Sequence, residues 1–212
     1  MMDADADRPH ADVGPTGLRR ALDAAFGHPR GLAGRLGGAV MVWGNRRQER
    51  WAVDRAKLRG DHRVIVVGCG PGVGLALAAG LIVPSGFVRG VDPSATMRAM
   101  ATRRCAGPIA MGALEIGDGT AERTGCADQS MDVAISVNNV MLWDQSLGFA
   151  ELFRVLRPGG LLVLTVHRHV LAEPAHSLRV RSAEVGFVDV ALTECPRRGT
   201  SPAVELTAHR PR

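Results

Sequence analysis

Lysine is all but missing. Lys57 is the only one, so the formal charge of +5 and the pI near 9.8 rest on arginine. The arginines are scattered, with pairs at Arg19-Arg20, Arg46-Arg47, Arg103-Arg104 and Arg197-Arg198 but no long run. That pattern speaks for a solvated basic surface and makes nucleic acid an unlikely partner. Cysteines are few and dispersed: Cys69, Cys105, Cys126 and Cys195 form no C-x-x-C pair and have no histidine at zinc-finger spacing. The expectation is reduced thiols in a cytoplasm, with neither disulfide nor metal. No apolar run is long enough to span a bilayer, and the first residues lack the apolar core of a signal peptide, which predicts a soluble chain with no membrane span. Internal repeats and low-complexity blocks are absent too.

What is present points to one sizeable core, for which 212 residues and a 46% hydrophobic content suffice. The organising stretch is RVIVVGCGPGVG, Arg63 to Gly74. Val64 to Val67 suit a strand buried on both faces, and the chain then enters Gly68, Gly70, Gly72 and Gly74. Glycines there let the backbone turn with positive φ and leave no Cβ between chain and ligand, while the helix that follows offers unpaired N–H groups. The ligand this predicts is nucleotide-like.

Before that loop the pattern is helical. Residues 1–15 carry four Asp, two Pro and one Gly and are poor in large apolar side chains, which predicts a disordered tail. Leu18, Leu22, Ala25 and Phe26 recur at helix spacing, as do Leu32, Leu36, Val40 and Trp43. A third helix is expected after Asn45, with Gln48 closing a capping box and Gly60 ending it. Residues 16–60 therefore read as an N-terminal helical segment, either covering one end of a sheet or forming a lid over a substrate.

From Asp61 onward strands and helices alternate. A helix is expected over Leu75 to Leu81, and a strand over Gly86 to Val91 that ends in Asp92. A carboxylate about twenty residues past such glycines can accept hydrogen bonds from ribose hydroxyls. Pro93 opens a helix carrying Met97 and Met100; a strand at Ala113 to Ile116, a loop to Ser130 and a strand at Met131 to Val137 follow. A helix over Gln145 to Leu156, an Arg-Pro-Gly-Gly turn and a strand at Leu161 to Val166 continue the alternation. It breaks after a helix at Pro174 to Val185, where strands at Gly186 to Thr193 and Pro202 to Ala208 form a hairpin. The predicted class is α/β: a Rossmann-like, mostly parallel seven-stranded sheet with helices on both faces, a C-terminal antiparallel β-hairpin and an N-terminal helical lid.

Five motifs in this order resemble the class I S-adenosylmethionine-dependent methyltransferases, in particular the small bacterial type 11 or ubiquinone-biosynthesis-like group. They are VVGCGPGVG (Val66 to Gly74), GVDPSATM (Gly90 to Met97), GDGTAE (Gly117 to Glu122), MDVAISVNNVMLW (Met131 to Trp143) and LFRVLRPGGLLVL (Leu152 to Leu164). The resemblance covers residues 61–212, taken as the cofactor-binding domain. It implies S-adenosyl-L-methionine as cofactor and S-adenosyl-L-homocysteine as product. Gly68, Cys69, Gly70 and Gly72 would pass under the methionine part, Asp92 and Pro93 would border the ribose, and Met97 would pack on adenine or simply fill the core. Asp118 and the Gly119 N–H would answer the adenine edge. Asn138 would lie beside the cofactor, and Asn139, Trp143 and Trp43 beside the substrate; the asparagines alternatively only form the turn, and Trp143 more often reads as plain packing. Relatives often carry Glu or Asp where Val66 stands, an acid that helps order the cofactor's amino-acid end; here the strand has none.

Methyl transfer from a sulfonium mainly requires that the acceptor be aligned about 3 Å from the methyl carbon. If a proton must be removed, His167 at the end of the fifth strand is the first candidate and His169 the second. The expected activity is methylation of a small organic molecule. Alternatives are a cofactor-binding protein without transferase activity, suggested by Val66, and an RNA methyltransferase using the arginines. A dehydrogenase fits the glycines alone, but the loop with Asp118 suits a mononucleoside better. A homodimer remains open, and the sequence does not identify the acceptor.

Overall fold

The computed structural model describes residues 46–82, 85–195 and 201–212. The expectations for the 1–15 tail, the helices between 16 and 43, Trp43 and the Asn45 cap lie outside the described residues. Helix α1 (46–55) comes first, then β1 (Arg63–Val67), α2 (Val73–Ile82), β2 (Phe87–Val91), α3 (Ala95–Arg104), α4 (Ala106–Ala110), β3 (Leu114–Gly117) and β4 (Met131–Val137). The second half holds α5 (Gln145–Val155), β5 (Leu156–His167), α6 (His176–Val185), β6 (Val188–Cys195) and β7 (Ala203–His209).

The strands form one seven-stranded sheet in the order β3-β2-β1-β4-β5-β7-β6. Neighbours from β3 to β5 are parallel, while β7 runs antiparallel to both β5 and β6. This is the predicted class, hairpin included. Strand side chains alternate between faces, and β1 shows why its apolar run has no polar interruption. Val64 and Val66 pack with Ala52 of α1, Ala56 just after it, and Leu75, Ala78 and Ile82 of α2. Ile65 and Val67 belong to the other layer, with Phe149, Leu152 and Val155 of α5 and Leu178 of α6.

Local chemistry sets the helix boundaries. Ser94 caps α3, its Oγ accepting from the Met97 N–H at 3.4 Å, so the helix starts one residue after the cap rather than at Pro93. Asp144 caps α5 by accepting from the Leu147 N–H, and Gly186 (φ 113°) ends α6 in the left-handed region. Helix α1 stops before Gly60, and Lys57 already has φ 44°.

The Arg157 to Gly160 segment, expected as a turn, continues β5 through an irregularity. Met131 pairs with Leu156 but Val133 with Leu161, and Gly159 (φ 78°) donates to the carbonyls of Arg210 and Pro211. The downstream partner keeps this stretch extended, which local turn preference does not reveal. Arg210 also donates through Nη1 to the carbonyls of Phe153, Arg154 and Leu156, satisfying the end of α5. No described helix is long and apolar enough to cross a membrane.

Candidate functional site

The strand order reverses between β1 and β4, because β1 is followed in sequence by β2 on one side while β4 lies on the other. Open α/β sheets place ligands outside the carboxyl ends of the strands at such a point. Here the glycine loop after β1 and the two asparagines after β4 flank it.

The four glycines of the loop have different physical reasons. Gly68 (φ 59°) leaves room for Asn139, whose side chain a Cβ would strike, and Gly72 (φ 83°) leaves room for the Ala101 backbone, 2.8 Å from where its Cβ would be. At Gly74 a Cβ would collide with Glu49 Oε2. Only at Gly70 (φ 51°) does no heavy atom of the described residues come within 4 Å of an added Cβ, which leaves the space above the backbone open. Close approach to a ligand is therefore available at Gly70, while the other three glycines admit neighbouring protein groups.

Asp92, buried at the end of β2, fixes that loop: Oδ2 accepts from the Gly70 N–H at 2.9 Å and Oδ1 from the Ser94 N–H at 2.9 Å. Cys69 donates its N–H to the Val91 carbonyl, tying the loop to the same strand. Its thiol is buried, and desolvation, then the nearby Asp92 and Glu49 carboxylates, push it well above the ordinary range. Burial likewise raises Cys105, Cys126 and Cys195; all four cysteines are free, and none is a poised thiolate.

Asp118, after β3, is exposed and ion-paired to Arg98 Nη1 at 3.1 Å. Arg98 Nη1 also donates to the Asp92 and Pro93 carbonyls, bridging the ends of β2 and β3. Sequence reasoning passed over this arginine, which nothing but its place in α3 distinguishes. At Gly119 an added Cβ would meet the Arg123 carbonyl at 2.9 Å. Met97 is 2% exposed and packed as core.

The two asparagines diverge. Asn139 turns beneath the loop: Nδ2 donates to the Val67 carbonyl at 2.8 Å, and Oδ1 accepts from Ser136 Oγ at 2.7 Å. It shapes the glycine turn from inside, so it stands apart from an outward substrate position. Asn138 (φ 54°) accepts from the His167 N–H and donates through Nδ2 to Gln48 Oε1 at 2.9 Å. Gln48, expected to close a capping box, instead points inward at 3% exposure, and its Nε2 has no hydrogen-bond partner. His167 stacks on His169 with ring centroids 5.6 Å apart. Trp143 is buried edge-to-face against Phe149, with Gly148 making room for its ring. The structure thus gathers Gly70, Asp92, Ser94, Asn138 and His167 around the switch point and puts Trp143 in the core.

Residues 65–164 match the family described as a methyltransferase domain. Over this segment the chain is similar to class I methyltransferase domains. Beside it stand a ubiquinone/menaquinone biosynthesis C-methyltransferase of Geotalea daltonii, 32% identical over 57% of this chain and 52% of that one, and an uncharacterized 37.1 kDa protein in transposon Tn4556 of Streptomyces fradiae, 34% identical over 53% of this chain. The chain spans 32% of the length of the transposon protein. In three dimensions the methyltransferase fold matches a Haemonchus contortus phosphoethanolamine N-methyltransferase 2 in complex with S-adenosyl-L-methionine, with TM-score 0.74 and 16% identity over 94% of this chain and 61% of that one. S-adenosylmethionine is the cofactor of this class. Residues of this chain fit it: Gly70 gives an open cradle among the described residues, an acid follows β2, and on α1, ahead of the matched segment, the buried Gln48 amide donor lacks a partner among the described residues. Among the described residues no group of three or more His, Cys, Asp or Glu is placed to hold a metal.

Proposed function

We propose that this chain transfers the methyl group of S-adenosylmethionine to a small organic molecule in the cytoplasm. The observation that carries the reading is the open space above Gly70 next to the Asp92 carboxylate, at the sheet's switch point. Gly68 to Gly72 would lie under the methionine part, Asp92 and Pro93 beside the ribose, and Asp118 with the Gly119 N–H at the adenine edge. The bound cofactor supplies a methyl group already activated by its sulfonium charge; the chain's part is alignment and exclusion of water. His167, held by the bond from its N–H to Asn138, is the residue proposed to take a proton from an acceptor that must lose one.

Residues 16–60 are proposed as the lid segment. Its described end is also core, since Ala52, Val53 and Ala56 are buried and Arg55 pairs with Glu205 at 2.7 Å. The arginines favour a small acceptor over RNA: Arg59, Arg89, Arg98, Arg154, Arg157, Arg168 and Arg181 are all ion-paired within the chain.

A second reading, binding without transfer, is favoured by Val66, which places a buried methyl surface where a carboxylate would otherwise serve the strand. Calorimetry with S-adenosylhomocysteine, followed by transfer of labelled methyl to a panel of hydroxyl, amine and carbon acceptors, separates the two. Binding with turnover supports transfer; binding without turnover across the panel supports the second reading; absence of binding refutes both.

A further inference from the structure

Helix α1 sends two successive polar side chains into the protein, and each keeps one capacity unused: Glu49 accepts from the Gly74 N–H but has no cation in ion-pair contact among the described residues, and Gln48 accepts from Asn138 but leaves Nε2 idle. Glu49 reaches the first residues of α2. A Cβ at position 74 would collide with its Oε2, with Val66 Cγ1 3.9 Å from the same point. The Gly74 N–H and the charge of Arg104 favour its ionised form, yet loss of water around it outweighs both and raises its carboxyl to about 7. No cation forms an ion pair with it among the described residues. Arg104 on α3 spends its Nε–H on the Pro71 carbonyl at 2.8 Å. The other ionisable groups around this end of the loop are Cys69, Asp92 and, at the start of α4, Cys105, and none brings positive charge. Among the described residues this carboxylate therefore has the distant charge of Arg104 but no cation in contact.

Gln48 lies one residue earlier, about 100° around the helix, and so reaches β4 rather than α2. Its Oε1 accepts from Asn138 and its Nε2 is a buried donor without an acceptor. Strands β1 and β4 are neighbours in the sheet, roughly 4.8 Å apart. An under-compensated acid and an unused amide donor thus flank the switch point from one helix, beside the open space over Gly70. Each is complementary to one end of an α-amino acid.

We propose that Gln48 and Glu49 hold the zwitterionic amino-acid end of the bound ligand, Glu49 accepting from its ammonium and Gln48 Nε2 donating to its carboxylate. This rests on the reading of the loop as an S-adenosylmethionine site and names the residues on which its amino-acid end depends. It also assigns to α1 the acid that β1 lacks at Val66.

Binding an ammonium stabilises the ionised form of Glu49, so a protein in which that group is partly protonated must release a proton as the ligand enters. The full chain is titrated calorimetrically at pH 6.5 in two buffers of different ionisation enthalpy. The ligands are S-adenosylhomocysteine and 5′-methylthioadenosine, which has no amino-acid end. Wild type should release most of a proton with the first ligand and none with the second. Glu49→Gln should abolish that release, and Glu49→Gln and Gln48→Met should each weaken S-adenosylhomocysteine about tenfold or more while leaving 5′-methylthioadenosine within about twofold. Binding of S-adenosylhomocysteine to wild type without proton release, or variants that weaken both ligands equally, would overturn the assignment while leaving the loop reading intact. If wild type binds neither ligand, the loop reading itself falls, and this assignment with it.

Discussion

Replacing Glu49 by Gln should stabilise the ligand-free protein, and only on the alkaline side. Burial raises the Glu49 carboxyl from 4.5 to about 7. A carboxyl raised on folding contributes stability that is present below its unfolded value and is lost as pH rises through the folded one. Wild type therefore carries an ionisation cost by pH 8 that it escapes at pH 5. At about 1.4 kcal/mol per pH unit, the rise from 4.5 to about 7 corresponds to about 3 kcal/mol at full effect. The side chain retains partial contact with water, so about 2 kcal/mol is the expected difference. Glutamine has nearly the same shape, still accepts from the Gly74 N–H through its carbonyl oxygen, and has no charge to desolvate. Urea unfolding of both proteins at pH 5 and pH 8, analysed for midpoint and slope, reads the difference directly. The variant should match wild type to within about 1 kcal/mol at pH 5 and exceed it at pH 8. A gain of equal size at both pH values, or a loss at pH 8, would refute the assignment of a strained carboxylate beside Gly74.

Gly70→Ala places a methyl group in the open cradle and should cost only about 1 kcal/mol of stability for its positive φ, yet lower S-adenosylhomocysteine affinity about tenfold or more in calorimetry. Gly72→Ala meets the Ala101 backbone and should instead destabilise by about 2–4 kcal/mol in thermal or urea unfolding. Asp92→Ala removes the acceptor of the Gly70 and Ser94 N–H groups; it should cost about 1–3 kcal/mol of stability, with S-adenosylhomocysteine binding markedly reduced. Unchanged affinity would count against the ribose-side assignment. Arg210→Ala removes a guanidinium donor from the Phe153, Arg154 and Leu156 carbonyls and should lower the urea midpoint by the equivalent of about 2 kcal/mol with the slope unchanged.

How much of this was legible in the sequence follows from how local each determinant is. Strand β1 could be read from four β-formers because Val64 and Val66 fill one layer and Ile65 and Val67 the other, a demand that the side-chain types themselves express. The loop and Asp92 were legible because glycine spacing and strand length are sequence-local. What distinguishes one glycine from another was not: Gly68, Gly72 and Gly74 answer to Asn139, Ala101 and Glu49, which only the folded chain brings there. Gln48 looked like a capping residue and became a buried partner of Asn138 because tertiary packing of α1 sets its orientation. Trp143 reads from sequence as packing more readily than as a pocket border, and it lies in the core, where Gly148 makes room for its ring. The bulge at Arg157 to Gly160 depends on Arg210 and Pro211, far beyond any window in which a Pro-Gly-Gly turn is judged.

The sheet order has a consequence for the chain as it is being made. Strand β7 lies between β5 and β6, although β6 is synthesised first. Until β7 emerges, the outer edge of β5 is a row of unpaired amides, and the end of α5 waits for the same late segment to deliver Arg210. At roughly 5–20 residues per second this interval lasts a few seconds, during which an apolar strand that will become central presents a template to any other nascent chain. The closing hairpin is thus the step that seals the molecule against its neighbours, and variants that slow it should betray themselves first as aggregation during expression.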